Sequence, residues 1–168
     1  GSNAQTWQRT TTGIKATINE IDVEMQFYSA SIVRIIKSPH KSSFVKKSLS
    51  VIAMPLQASL AIRQKADVII ISSEKISVRC NLVSGVINYH TKTGLSLVNE
   101  KENSVLFKGF NDAGSNTYSV EQAYLREKDE AIYGLGQQQS GKMVQRDLTL
   151  DMIQNNTSDY IPFFQSVK

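Results

Sequence analysis

The chain has 168 residues, about one domain's worth, with 40% hydrophobic and 20% charged residues, which is long enough and apolar enough to bury a core without disulfides or metal. No apolar run approaches the roughly 18 residues of a membrane span, and the lone Cys80 excludes an intramolecular disulfide while leaving the redox compartment open. The net charge of +4 does not point to nucleic acid. The densest basic stretch, Lys37-Ser-Pro-His-Lys41 through Lys46-Lys47, lacks the alternating aromatics of a stacking platform and reads as a solvated loop.

Gly1–Ala4 has the composition of a tag scar, so residues 5–168 are expected to form one domain. Ile14, Ala16 and Ile18 alternate with polar residues, the period of a half-buried strand. Asn19-Glu20 reads as a turn, and Ile21–Phe27 as the cleanest alternating strand. Ser31–Lys37 is apolar on more than one face, the pattern of a central strand, and Pro39 ends it. Leu49–Met54 reads as a strand closed by Pro55, and Gln57–Lys65 as a loop or an edge strand.

Val68–Ile71 is a short β-branched run that fits a buried strand. Ile76–Val83 alternates, placing Cys80 in a buried set with Ile76, Val78 and Leu82, so a structural thiol is expected. Gly85–Tyr89, a turn over His90–Gly94 and Leu95–Val98 form a hairpin signal. Val105–Lys108, a turn cluster over Asn111–Thr117 and the alternating Tyr118, Val120, Gln122 and Tyr124 complete about ten strands. Such a run of short strands without helical periodicity argues for an all-β, antiparallel β-sandwich or barrel.

No catalytic centre is legible. His40 and His90 fall in predicted loops without a thiol or carboxylate at ligand spacing, so no metal site and no cofactor are expected. Gly134-Leu-Gly136 begins a G-x-G, but Gln139 stands where a third glycine is needed and no strand–helix unit surrounds it. Asp129 and Glu130 are neighbours pointing to opposite faces of a strand, and Asp147 and Asp151 read as a solvated face. The exposed-aromatic candidates for a sugar platform are Trp7, Tyr89, Tyr124, Tyr133 and Tyr160, most of them on alternating strands and better read as core.

The ordered set Glu130-Ala-Ile-Tyr-Gly-Leu-Gly136, Arg146, Leu148-Thr-Leu-Asp-Met152 as a hydrophobic strand, Gln154-Asn-Asn156 and Ile161-Pro-Phe163 resembles the N-terminal domain of the family-31 glycoside hydrolases, the α-glucosidase and α-xylosidase group. Ser31-Ile-Val-Arg34 and Gly85-Val-Ile-Asn-Tyr89 with Gly94-Leu95 look like weaker parts of the same domain. The resemblance implies a galactose-mutarotase-like β-sandwich set before a (β/α)8 barrel that is absent here. Both catalytic aspartates of such enzymes belong to that barrel, so the fragment alone is expected to be inactive.

In several α-glucosidases an Arg-Asp pair on one N-terminal loop touches the leaving-group sugar. The resemblance carries this onto Asn155 and Asn156, with Gln154 beside them, as substrate-binding amides. The implied partners are an oligosaccharide and the chain's own downstream barrel, without a membrane span, plus a second copy through an unpaired sheet edge. The Gln137-Gln-Gln139 variant resembles exported bacterial enzymes acting on plant oligosaccharides, which implies an α-xylosidase and a periplasmic or cell-surface parent whose signal peptide is no longer on the chain. The alternative is a free-standing carbohydrate-binding or protein-interaction β-sandwich.

Overall fold

A computed structural model describes residues 7–42, 48–55 and 59–168. It divides into two units, Gly1–Leu125 and Arg126–Lys168. All regular structure among the described residues is strand, and no helix is long and apolar enough to cross a membrane.

The first unit holds two antiparallel sheets around one core. The first sheet runs β1 (Trp7–Arg9), β2 (Gly13–Ile18), β3 (Ile21–Ser29), β4 (Ile32–Pro39) in that order. The second comprises β5 (Ala61–Lys65), β6 (Val68–Ser72), β7 (Ile76–Asn81), β8 (Ile87–Thr91), β9 (Ser96–Glu100) and β12 (Tyr124–Leu125), ordered β12-β9-β8-β7-β6-β5. A third, two-stranded sheet pairs β10 (Leu106–Asp112) with β11 (Ser115–Glu121).

The alternation read from the sequence sorts residues as expected. Ile14, Ile18, Val23, Met25 and Phe27 of one sheet meet Ile69, Ile71, Val78, Cys80 and Ile87 of the other in a single buried cluster. Asn19 and Glu20 make the turn between β2 and β3 with φ of 50° and 61°, the double left-handed geometry that matches strand twist in a two-residue hairpin. Cys80 is fully buried. Burial, with the Glu100 charge nearby, pushes its thiol up to about 12, so it is a packing residue.

Among the described residues, four side-chain ties hold the two sheets face to face. At one end the Asn19 side chain donates to the Val83 carbonyl at 2.8 Å. At the other, the Ser73 hydroxyl donates to the Ala30 carbonyl at 2.5 Å. Along one side, the Trp7 indole N–H in β1 donates to Gln64 of β5 at 2.7 Å. Along the opposite side, Lys37 of β4 meets Glu100 of β9 at 2.6 Å, with side chains only 10% and 2% exposed.

That last tie bears on two expectations. β4 is not central: it lies at the edge of its sheet. Its pattern looks two-sided because Val33 and Ile35 pack on the core while every other residue but Ile32 is also partly covered. Of the two readings of Lys37, as the end of a strand and as part of a solvated loop, the strand holds, since it is paired with core-facing Val23 in the β3–β4 register. An inward-pointing charge on an edge strand discourages further strand addition. Residues 43–47 of the basic stretch lie outside the described residues.

Three other elements differ from expectation. Leu49–Met54 forms no strand: Leu49, Ile52 and Met54 are 96%, 93% and 80% exposed, so nothing among the described residues buries an apolar face there. Residues 148–152 form no strand either. His90 sits inside β8 next to a register shift, not in a turn, and its Nδ1 is buried with no hydrogen-bond partner among the described residues. Burial and the nearby Arg79 charge hold its pKa below the usual value. Residues 57 and 58 of the Gln57–Lys65 stretch lie outside the described residues, while Ala61–Lys65 is an edge strand, as one of the two readings had it.

Candidate functional site

The second unit is organised by β13 (Ala131–Gly134) paired with β14 (Phe164–Val167). From the last residue of β13 onward, three consecutive residues take positive φ: Gly134 at 109°, Leu135 at 63° and Gly136 at 94°. The chain then lies against the returning segment 159–163. Leu135 N–H donates to Phe163 O at 2.7 Å, and Gln137 and Asp159 exchange backbone hydrogen bonds of 2.7 and 2.9 Å. A Cβ on Gly136 would stand 2.0 Å from the Asp159 carbonyl oxygen, and one on Gly134 2.6 Å from that of Phe163. The Tyr-Gly-Leu-Gly motif is therefore a close-approach device that clamps the two ends of the 138–158 excursion.

Glu130, which precedes the motif, is buried. Its carboxylate accepts from the Glu127 backbone N–H at 2.8 Å and from the Ser166 hydroxyl on β14. Burial alone would raise its pKa, but those two hydrogen bonds and the charges of Lys168 and Arg126 outweigh it and hold the carboxyl below its usual 4.5. A carboxyl depressed by folding contributes stability that is present above its unfolded pKa and lost as pH falls through the folded one. The β13–β14 pairing should therefore loosen below about pH 4.5, and Glu130→Gln should flatten that dependence in amide exchange of β14. Neither acid lies in a strand: Asp129 is exposed in the turn before β13 while Glu130 is buried, so they differ in burial rather than by strand alternation. Asp147 forms ion pairs with Arg126 and Arg146.

The three amides singled out in the sequence lie on one exposed loop but do different things. The Gln154 side chain brackets Tyr160, donating to its carbonyl and accepting from its N–H, both at 2.9 Å. The Asn155 Oδ1 accepts from the Thr157 N–H and hydroxyl, again both at 2.9 Å, an Asx turn closed by the Asn155–Ser158 bridge. Asn156 is at the tip, exposed, and its side chain makes no hydrogen bond among the described residues. The turn-building role thus falls on Gln154 and Asn155, leaving Asn156 with a free donor and acceptor. Asn155→Ala should cost about 1 kcal/mol and deprotect the Thr157 amide in hydrogen exchange. Asn156→Ala should leave that protection unchanged.

Sequence reasoning overlooked two further amides. The side-chain carbonyls of Gln138 and Gln145 are buried without a hydrogen-bond partner among the described residues. Glutamine crowding after Gly136 was the available signal, but which oxygen is left unpaired depends on the fold. Of the aromatic platform candidates, Tyr89 packs against the core, and burial with the Glu100 charge raises its phenol pKa. Trp7, Tyr133 and Tyr160 are half-buried, and only Tyr124 is exposed. His40 is not alone in a loop: its Nδ1 lies 2.8 Å from Asp22 Oδ1, which also accepts from Thr17 at 2.6 Å. No group of three or more His, Cys, Asp or Glu among the described residues is placed to hold a metal ion.

Comparison with known proteins agrees with this architecture. An α-xylosidase of Saccharolobus solfataricus is 30% identical over 164 residues, covering 90% of this chain and 22% of that protein. Among solved structures, the family-31 α-xylosidase of Xanthomonas citri superposes with a TM-score of 0.88 at 24% identity, over 95% of this chain and 18% of that one. A family-31 α-xylosidase from a soil metagenome gives 0.80 at 16% identity, over 96% and 26%. The family-31 dextranase of Flavobacterium johnsoniae gives 0.73 at 19% identity, over 96% and 21%. At these identities the likeness of structures establishes the fold, and the chain spans about a fifth of the curated relative's length. Residues 22–168 match the glycosyl hydrolase 31 N-terminal galactose mutarotase-like domain, and the chain belongs to that family.

Proposed function

We propose that this chain is the non-catalytic N-terminal domain of an α-xylosidase or α-glucosidase, packed on the catalytic barrel and lending the Gln154–Asn156 loop to the substrate site. The observation that carries the reading is the division of labour in that loop. Gln154 and Asn155 hold its shape, and the Gly134–Gly136 clamp holds its base. Asn156 alone keeps an amide free, and an amide can both donate to and accept from sugar hydroxyls.

The test uses the full-length enzyme and two substrates, an α-linked disaccharide and an aryl α-glycoside with no sugar in the leaving group. Asn156→Ala should lower kcat/KM on the disaccharide roughly tenfold, the loss of one to two net hydrogen bonds, and leave the aryl substrate unchanged. No loss, or an equal loss on both, contradicts the loop's role. A dimer through a sheet edge belongs to the same reading, because β14 pairs only with β13 among the described residues and Phe164 and Val167 are half exposed. Sedimentation that stays monomeric at every accessible concentration would remove it.

A further inference from the structure

A cavity of about 200 Å³ opens between the two sheets of the first unit, where the turns at Asn19, Ser84-Gly85 and Lys101–Ser104 gather. The Lys37–Glu100 ion pair belongs to its lining, and Ile18, Val23, Val86 and Leu106 supply apolar walls. Its rim is built rather than loose, since Asn19 is tied to Val83 across the sheets. Leu106 lines the cavity and is 52% exposed, which places it where the cavity meets solvent.

The ion pair is not saturated. Lys37 Nζ donates to Glu100 Oε1 at 2.6 Å and to Gln122 at 3.2 Å, leaving one of its three protons. Glu100 accepts from Lys37 and, through Oε2, from the Ile87 N–H at 2.9 Å, leaving further lone pairs. A donor and an acceptor therefore stand side by side at a site with apolar walls. A lone anion would meet the Glu100 carboxylate and a lone cation the Lys37 ammonium, so charge selects a neutral ligand. Two adjacent hydroxyls satisfy both groups at once, one giving a hydrogen bond to Glu100 and the other taking one from Lys37. The volume is below the roughly 300 Å³ at which pockets for drug-sized ligands begin, so the ligand is one sugar ring or smaller.

We propose that this cavity is a binding site for the vicinal diol of a single monosaccharide. It goes beyond the loop assignment above and uses only residues of the first unit, so its failure leaves the role of Asn156 untouched.

The experiment is titration of the ¹⁵N-labelled chain with D-xylose, followed by amide chemical shifts. Saturable shifts at Gly85, Asn103 and Ser104, with Kd on the order of 10 mM for so small a ligand, are expected. Propan-1-ol, which has no diol, should produce no saturable shift there. Leu106→Trp should close the mouth and abolish the shifts, with its melting temperature confirming the fold, and Leu106→Phe serves if the tryptophan does not fold. Absent or non-saturating shifts with D-xylose, equal shifts with propan-1-ol, or D-xylose shifts that persist in a folded Leu106 variant would each overturn the proposal and leave the space as hydration for the ion pair.

Discussion

Gly136→Ala is expected to unpair the segment Arg126–Lys168 locally, at a cost of roughly 3 kcal/mol or more. The new Cβ would lie 2.0 Å from the Asp159 oxygen and 2.9 Å from the Asp159 carbon and the Ile161 nitrogen. These are backbone atoms and cannot rotate aside, so the 134–137 and 159–163 segments must part. Parting them breaks both hydrogen bonds between Gln137 and Asp159 and frees the loop that carries Asn156. Amide exchange at Gln137 and Asp159 should rise sharply, while β2, β3, β6 and β7, which share none of these bonds, keep their protection.

Gly141→Ala is the internal control. Gly141 also has positive φ, at 69°, but nothing lies within 4 Å of its would-be Cβ. It should cost only the conformational strain, about 1 kcal/mol. If the two variants behave alike, close approach is not the reason for glycine at 136.

The second large effect concerns the side of the sandwich. Lys37→Met leaves the Glu100 carboxylate buried without its cation, and removing one partner of a buried pair costs about 3–5 kcal/mol. Thermal unfolding of the chain should fall by roughly 15 °C. The double variant Lys37→Met/Glu100→Gln should recover most of this, because glutamine still accepts from the Ile87 N–H without needing a cation. A single variant as stable as wild type would mean the pair contributes nothing, and a double variant no better than the single would mean the loss came from Lys37 packing alone.

How much of this was legible in the sequence depends on whether the cause was local. The β2–β3 hairpin was readable because alternation and a turn are properties of neighbouring residues, and Ile14 to Phe27 display both. The Tyr-Gly-Leu-Gly stretch was readable as a special backbone, but its reason lies 23 to 29 residues away at Asp159–Phe163. Lys37 was legible as a strand end but not as an interior residue, because a lysine beside Ser38 and Pro39 has the chemistry of a loop and only Glu100, 63 positions on, draws it inward.

Leu49–Met54 has strand composition without a surface to cover, which composition cannot reveal. In the candidate site the resemblance pointed to three amides that share one exposed loop. It did not separate them, because whether an amide builds a turn or stays free is decided by Thr157, Ser158 and Tyr160 in space. The two buried glutamine carbonyls, Gln138 and Gln145, went unnoticed for the same reason.

Shaping a sugar site whose chemistry is done elsewhere in the parent enzyme is the role proposed for this domain. Turnover of an aryl α-xyloside and an aryl α-glucoside, measured for this chain alone and for the full-length protein, tests it most directly. Hydrolysis of one or both by the full-length protein and none by the chain alone is the expected result. Hydrolysis by the chain alone, abolished by replacing one of its own carboxylates, would contradict it.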